Sequence, residues 1–140
     1  MGVGPFRDGW VEADVEAVIA RGDPGEVGYA PIVASLDPPD CDWALSVCVR
    51  LSSHPDLRVR SNALLGFAHL SRTCGRLDEA VVRPLVEAAL ANPELAGRAS
   101  DVADDLGTYL GWEFSRARRA PPGAATAQPL EQDRAAEQGR

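Results

Sequence analysis

Asp101, Asp104 and Asp105 are the residues whose type and spacing could most directly do chemistry in this chain. At separations of three and four they share one face of a helix, beside Thr108 or Glu94 and away from the apolar stripe of Leu95, Val102 and Leu106. Like charges at that spacing destabilise a helix by roughly 0.2–0.5 kcal/mol per pair, a cost sometimes kept for function. Three carboxylates suit a basic protein partner, or a hard cation such as Mg²⁺ or Ca²⁺. Asp-x-x-Asp-Asp alone is a weak metal pattern, so neither a metal nor a cofactor is assigned. The plain reading is a solvated outer face, with Asp101 or Asp104 paired to Arg60 or Arg98.

The other reactive residue types form no motif. Cys41 and Cys48 lie seven apart on one expected helix, and with His54 they match no standard zinc spacing. Both read as core, where a thiol packs as a small hydrophobe. Cys74, beside Gly75 at a helix end, reads as exposed. Three cysteines make an odd count, which argues against a secreted disulfide framework. His54 precedes Pro55 and reads as a turn residue, while His69 borders the apolar stripe of its helix. No nucleophile motif supports a Ser-His-Asp arrangement, so no catalytic residue is expected. Trp10, Trp43 and Trp112 read as core or capping aromatics. Trp112, closing the last helix, could also meet a partner.

These side chains must be positioned by helices. Val11, Val15, Val18 and Ile19 fall at helical spacing and predict a helix over 9–21, ended by Gly22. Asp23-Pro24 starts the next apolar segment, which runs to Leu36 and is kinked or split by Pro31. Asp37-Pro38-Pro39-Asp40 is a break, and Asp40 can cap a helix over 41–53. Asp56 caps a helix over 57–73 whose wide stripe requires burial on more than one side. Asp78 opens a helix over 79–91 with Pro84 inside it; a start just before Pro84 would shorten it by a turn. The last helix, 94–112, has the cleanest stripe. No segment alternates with period two, so no sheet is expected. Residues 1–114 read as one domain. Residues 115–140 carry almost no large apolar side chain and read as a disordered tail.

Two of these units copy each other. His54-Pro55-Asp56-Leu57-Arg58-Val59-Arg60-Ser61 sets over Asn92-Pro93-Glu94-Leu95-Ala96-Gly97-Arg98-Ala99, with Pro on Pro, acid on acid, Leu on Leu and Arg on Arg. Upstream, Trp43, Ala44, Val47, Cys48 and Leu51 register with Val81, Val82, Leu85, Val86 and Ala89. A period in this range means stacked helical hairpins. The motif Asp56, Val59, Arg60, Ala63, Leu64, Gly66, weaker in Glu94, Gly97, Arg98, Asp101, Val102, resembles HEAT repeats over about residues 40–112. The pair in 9–36 lacks the signature and fits an atypical capping unit. The resemblance implies an all-α fold, an α-α superhelix of about six helices in three stacked hairpins. It also implies a concave face lined by 57–73 and 94–112. It makes Asp56, Arg60, Glu94 and Arg98 a structural ladder linking neighbouring repeats.

Charge narrows the function. The net charge is −7, and residues 1–114 carry nine Arg against 18 Asp and Glu, a balance of −9. Such a body repels nucleic-acid phosphate and attracts basic proteins. There is no Lys, which with the Ala, Gly and Pro content suits a GC-rich bacterial genome. No apolar run reaches the length of a membrane span, and the N-terminus lacks the pattern of a signal peptide, so a cytoplasmic location is expected. Stacked helical repeats are usually binding surfaces. The expected function is therefore a non-enzymatic protein-interaction module whose partner-binding candidates are Asp101, Asp104, Asp105, Thr108 and Trp112. Small acidic helical-repeat proteins of this kind resemble immunity proteins that neutralise bacterial toxin domains, many of them basic. The alternatives are a regulatory or scaffold subunit of a bacterial complex and a HEAT-like enzyme such as a bilin lyase.

Overall fold

A computed structural model describes residues 3–115, and these are all-helical apart from turns and an isolated bridge between Val3 and Phe6. The elements are α1 (Glu12–Arg21), α2 (Pro24–Val27), α3 (Ala30–Leu36), α4 (Cys41–Leu51), α5 (Leu57–Thr73), α6 (Glu79–Leu90) and α7 (Ala96–Leu110). With α2 a single turn, this is the expected all-α fold of about six helices. The tail expected over 115–140 lies, beyond Ser115, outside the described residues.

Each boundary has a local cause. Gly22 takes a left-handed φ of 77° and closes α1. Asp23 accepts from the Gly25 N–H with Pro24 at the first helical position, which starts α2. The apolar stretch then breaks at Tyr29, two residues before Pro31, and resumes as α3. Asp40 caps α4 by accepting from the Trp43 N–H at 2.8 Å. Asp56 caps α5 twice, accepting from Arg58 and Val59 N–H at 2.9 and 3.1 Å. Its own N–H donates to His54 Nδ1 at 3.0 Å, so His54 is the turn residue its sequence context implied. Pro84 sits inside α6 without ending it.

Helix α5 is the centre of the molecule. It packs against α3 on one side and α7 on the other, with α4 across it. Helix α4 also meets α3, α6 lies on α7, and α1 packs on α2 and α3. Eight residues of α5 are buried, among them Val59, Ala63, Phe67 and Leu70. That is the burial on several sides which its wide stripe demands. The approach of α4 to α5 is close enough that a Cβ at Gly66 would run into Cys48 Sγ, with the Pro31 carbonyl of α3 behind.

Two cysteines are placed differently from the sequence reading: Cys41, read as core, and Cys74, read as exposed, are both half-buried. Cys41 is not core: it forms a disulfide with Cys74 across a Cα–Cα distance of 6.1 Å. Cys41 is the first residue of α4, so its side chain leaves the helix end toward the end of α5 rather than the centre of the bundle. An odd count excluded a framework but not a single bridge with one thiol left over. Cys48 is that thiol. It is fully buried as expected, and burial pushes its pKa up to about 12, so it stays protonated and inert.

Candidate functional site

The structure divides the five partner-binding candidates between two flanks of α7. Leu95, Ala99, Val102, Ala103 and Leu106 turn inward, and Asp101, Asp104 and Thr108 are exposed on the opposite face. Asp105 is half-buried on the flank toward α5, where its charge acts on His69. The three aspartates are thus not one patch.

Asp104, Thr108 and Trp112 come together at the far end of the helix. Gly111, at a φ of 74°, ends α7. Its N–H donates to the Gly107 carbonyl at 3.0 Å, and the Trp112 N–H donates to the Leu106 carbonyl at 3.3 Å. The chain therefore doubles back so closely that a Cβ on Gly107 would stand 3.2 Å from the Trp112 carbonyl oxygen. The result is an open groove of about 540 Å³ lined by Asp104, Gly107, Thr108, Trp112, Glu113 and Phe114. Two carboxylates stand beside two aromatic rings whose centroids are 6.4 Å apart.

Arg83 of α6 braces this turn, a role the sequence reading missed. Its guanidinium carbon lies 4.7 Å from the Phe114 ring centroid and 5.7 Å from that of Trp112, within cation–π range. Its Nη1 donates to the Glu113 carbonyl at 2.6 Å, and its Nε donates to Glu79 at 2.8 Å. One buttressed cation thus ties α6 to the segment that forms the groove. The i,i+4 spacing of Glu79, Arg83 and Glu87 was the available signal, but it marks only a paired helix face.

The ladder residues serve different ends. Asp56 is a helix cap. Arg98 Nε donates to Ser61 Oγ at 3.1 Å, joining α7 to α5. Arg60 Nε is buried without a hydrogen-bond partner, and Glu94 is exposed.

On the α3 side, His69 Nδ1 lies 2.9 Å from Ser35 Oγ. With Asp105 nearby, the residue types are those of a hydrolytic triad. Ser35, however, is fully buried, and its hydroxyl also lies 3.2 Å from the Ile32 carbonyl. A hydroxyl enclosed between two helices meets no substrate, and the contact works as a joint between α3 and α5. Burial first, then the charge of Arg72, holds the His69 pKa below its usual value. Asp105 pulls it up, and Arg98 adds to the lowering. A second joint links α1 to α4: Glu16 accepts from Arg50 at 3.1 and 2.7 Å and from Trp43 Nε1 at 2.9 Å. The hydrogen bond from Arg50 is the main reason its carboxyl titrates below the ordinary range, against a smaller opposing effect of burial.

Among the described residues no group of three or more His, Cys, Asp or Glu is placed to hold a metal ion, and no helix is long and apolar enough to cross a membrane. Comparison with protein-family models, with curated proteins and with solved structures finds no match.

Proposed function

We propose that this chain is a protein-interaction module that takes a basic segment of a partner protein into the groove at the end of α7. The observation carrying the reading is the convergence of Asp104 and Glu113 with Trp112 and Phe114 around one open cleft. Carboxylates steer and orient an Arg- or Lys-bearing segment, and the parts of the aromatic rings that Arg83 does not cover pack on its apolar stems. Aromatic anchors beside acids are the features of an energetic centre in an interface. The acidic body adds long-range attraction for a basic partner. A toxin domain of basic surface, neutralised by this chain as an immunity protein, is one partner of that description.

We read the scaffold as a small HEAT-like stack. Support comes from the spacing of its cross-links. Glu16–Arg50 and Ser35–His69 each span 34 residues, Ser61–Arg98 spans 37, and the Thr73 hydroxyl to the Ser35 carbonyl spans 38. Links that recur near one period are what stacked hairpins produce when equivalent helices lie side by side.

The test is affinity capture from the source organism with three full-length baits: the parent, Asp104→Arg/Glu113→Arg, and a distant charge control, Asp14→Arg. A basic protein held by parent and control but released by the groove variant supports the reading. Retention of the same protein by all three baits, or capture of none, sinks it.

A further inference from the structure

The bond between Cys41 and Cys74 lies at the ends of two helices, outside the fully buried core. Both cysteines are only half-buried. Together with Asp42, Leu45, Arg76 and Leu77 they line an open cleft of about 370 Å³, which gives an attacking thiol a path to the sulfurs. The bond joins the first residue of α4 to the residue that ends α5, and the chain enters α6 only a few residues later, at Glu79. Cys48, enclosed in the core, offers no third thiol for scrambling.

The elements it clamps are unequal. Helix α5 is held by α3, α4 and α7 whether or not the bond exists. Helix α6 packs chiefly on α7, and its lead-in is tied to α4 by the disulfide and by the Arg76–Asp42 pair at 3.3 Å. That pair is exposed at both ends, 69% and 82%, and such a contact contributes little. Helix α6 in turn carries Arg83, the brace of the groove.

We propose that Cys41–Cys74 is a thiol–disulfide exchange site for a dithiol reductant, and that its redox state sets how firmly α6 holds the groove. One thiolate of the reductant attacks a sulfur of the bridge and forms a mixed disulfide, expelling the other sulfur as a thiolate that takes up a proton. The second thiolate of the reductant then attacks the reductant's own sulfur in the mixed disulfide, closing the reductant's disulfide and expelling the chain's other sulfur, which is protonated in turn. The chain gains two electrons and two thiols, and the reductant ends as a disulfide. With the bridge open, residues 74–78 lose their covalent tie to α4 and keep the exposed ion pair and the partial burial of Leu77. Local opening of α6 becomes easier, and Arg83 holds residues 112–114 less firmly. The consequence for binding rests on the groove reading; the exchange chemistry and the loosening do not.

The test uses the full chain in three forms: oxidised, reduced with dithiothreitol under native conditions, and carrying Cys41→Ser/Cys74→Ser. Hydrogen exchange is followed by peptide, with far-UV circular dichroism as the check on folding. The expected result is reduction without denaturant, followed by roughly tenfold faster exchange over residues 79–90 and 112–114 in the reduced and double-serine forms. Exchange over 12–36 stays unchanged. A bridge reduced only after denaturation overturns the proposal. So does equal exchange in all three forms, or acceleration spread evenly along the chain. None of these readouts involves a partner, so an empty capture would sink the groove reading and leave this one standing.

Discussion

Gly66 stands where three helices meet, and its single hydrogen is what lets them meet. Alanine in a helix interior ordinarily stabilises over glycine by about 1 kcal/mol. Here the added methyl would strike Cys48 Sγ, and the Pro31 carbonyl blocks retreat. Overpacking of that kind costs typically about 1–3 kcal/mol, so Gly66→Ala is expected to lose stability despite its better propensity. Cys48→Ala makes room for the methyl. Denaturant unfolding of the double variant should therefore show a loss smaller than the sum of the two single losses. Equal additivity would mean that the close approach carries no strain. None of this was legible in the sequence, because a glycine in a helical stripe announces neither its neighbour nor its distance. Cys48 was legible, since it aligns with Val86 and stays on the core face. Cys41 shares that face by spacing but belongs to a helix end, where periodicity says nothing about which element lies beyond.

At the scale of elements, capping chemistry is what the sequence expressed best. Asp23, Asp40 and Asp56 each accept the backbone N–H groups their positions promised, and α5 runs Leu57–Thr73 as its stripe predicts. Asn92-Pro93 marked the last break. Asn92 instead accepts from the Glu94 N–H within the turn, and α7 starts later, at Ala96, without a side-chain cap. The groove itself was half-legible. Asp104, Thr108 and Trp112 could be named from their places on one helix and its end, but Glu113 and Phe114 could not. They join the site only through the reversal at Gly111 and the reach of Arg83 from α6, both set by tertiary contact. The same scale separates Asp56 from Arg60, both of which the repeat resemblance assigns to one structural ladder. Asp56 satisfies two N–H groups of the central helix, and Asp56→Ala should cost about 1 kcal/mol. Arg60 holds a buried Nε with no partner, so Arg60→Met keeps the apolar stem while removing an unsatisfied donor. Its unfolding midpoint should equal or exceed the parent's. A loss as large as that of Asp56→Ala would support a structural ladder role for Arg60.

For the molecule as a whole, the helices are joined to one another by polar contacts, and two of the joints titrate in the same direction. His69, between α3 and α5, has a folded pKa below its ordinary 6.5 because burial and Arg72 disfavour the imidazolium, with Arg98 adding and Asp105 opposing. The unfolded chain therefore takes up a proton on His69 at a higher pH than the folded chain does. The joint contributes its full stability above about pH 6.5 and loses it as the pH falls through the lowered folded value. Glu16, between α1 and α4, has a folded pKa below 4.5 because Arg50 holds its carboxylate. The sign is the same one window lower: its contribution is complete above that pH and disappears as acid protonates the carboxyl. Stability should thus decline in two steps on acidification, the first with the histidine and the second with the glutamate. His69→Gln removes the group that titrates in the first window. Denaturant midpoints measured across the acid range should then stay flat through that window and fall only in the second. A parent-like first step in His69→Gln would place the titrating group elsewhere and reduce the α3–α5 joint to an ordinary hydrogen bond.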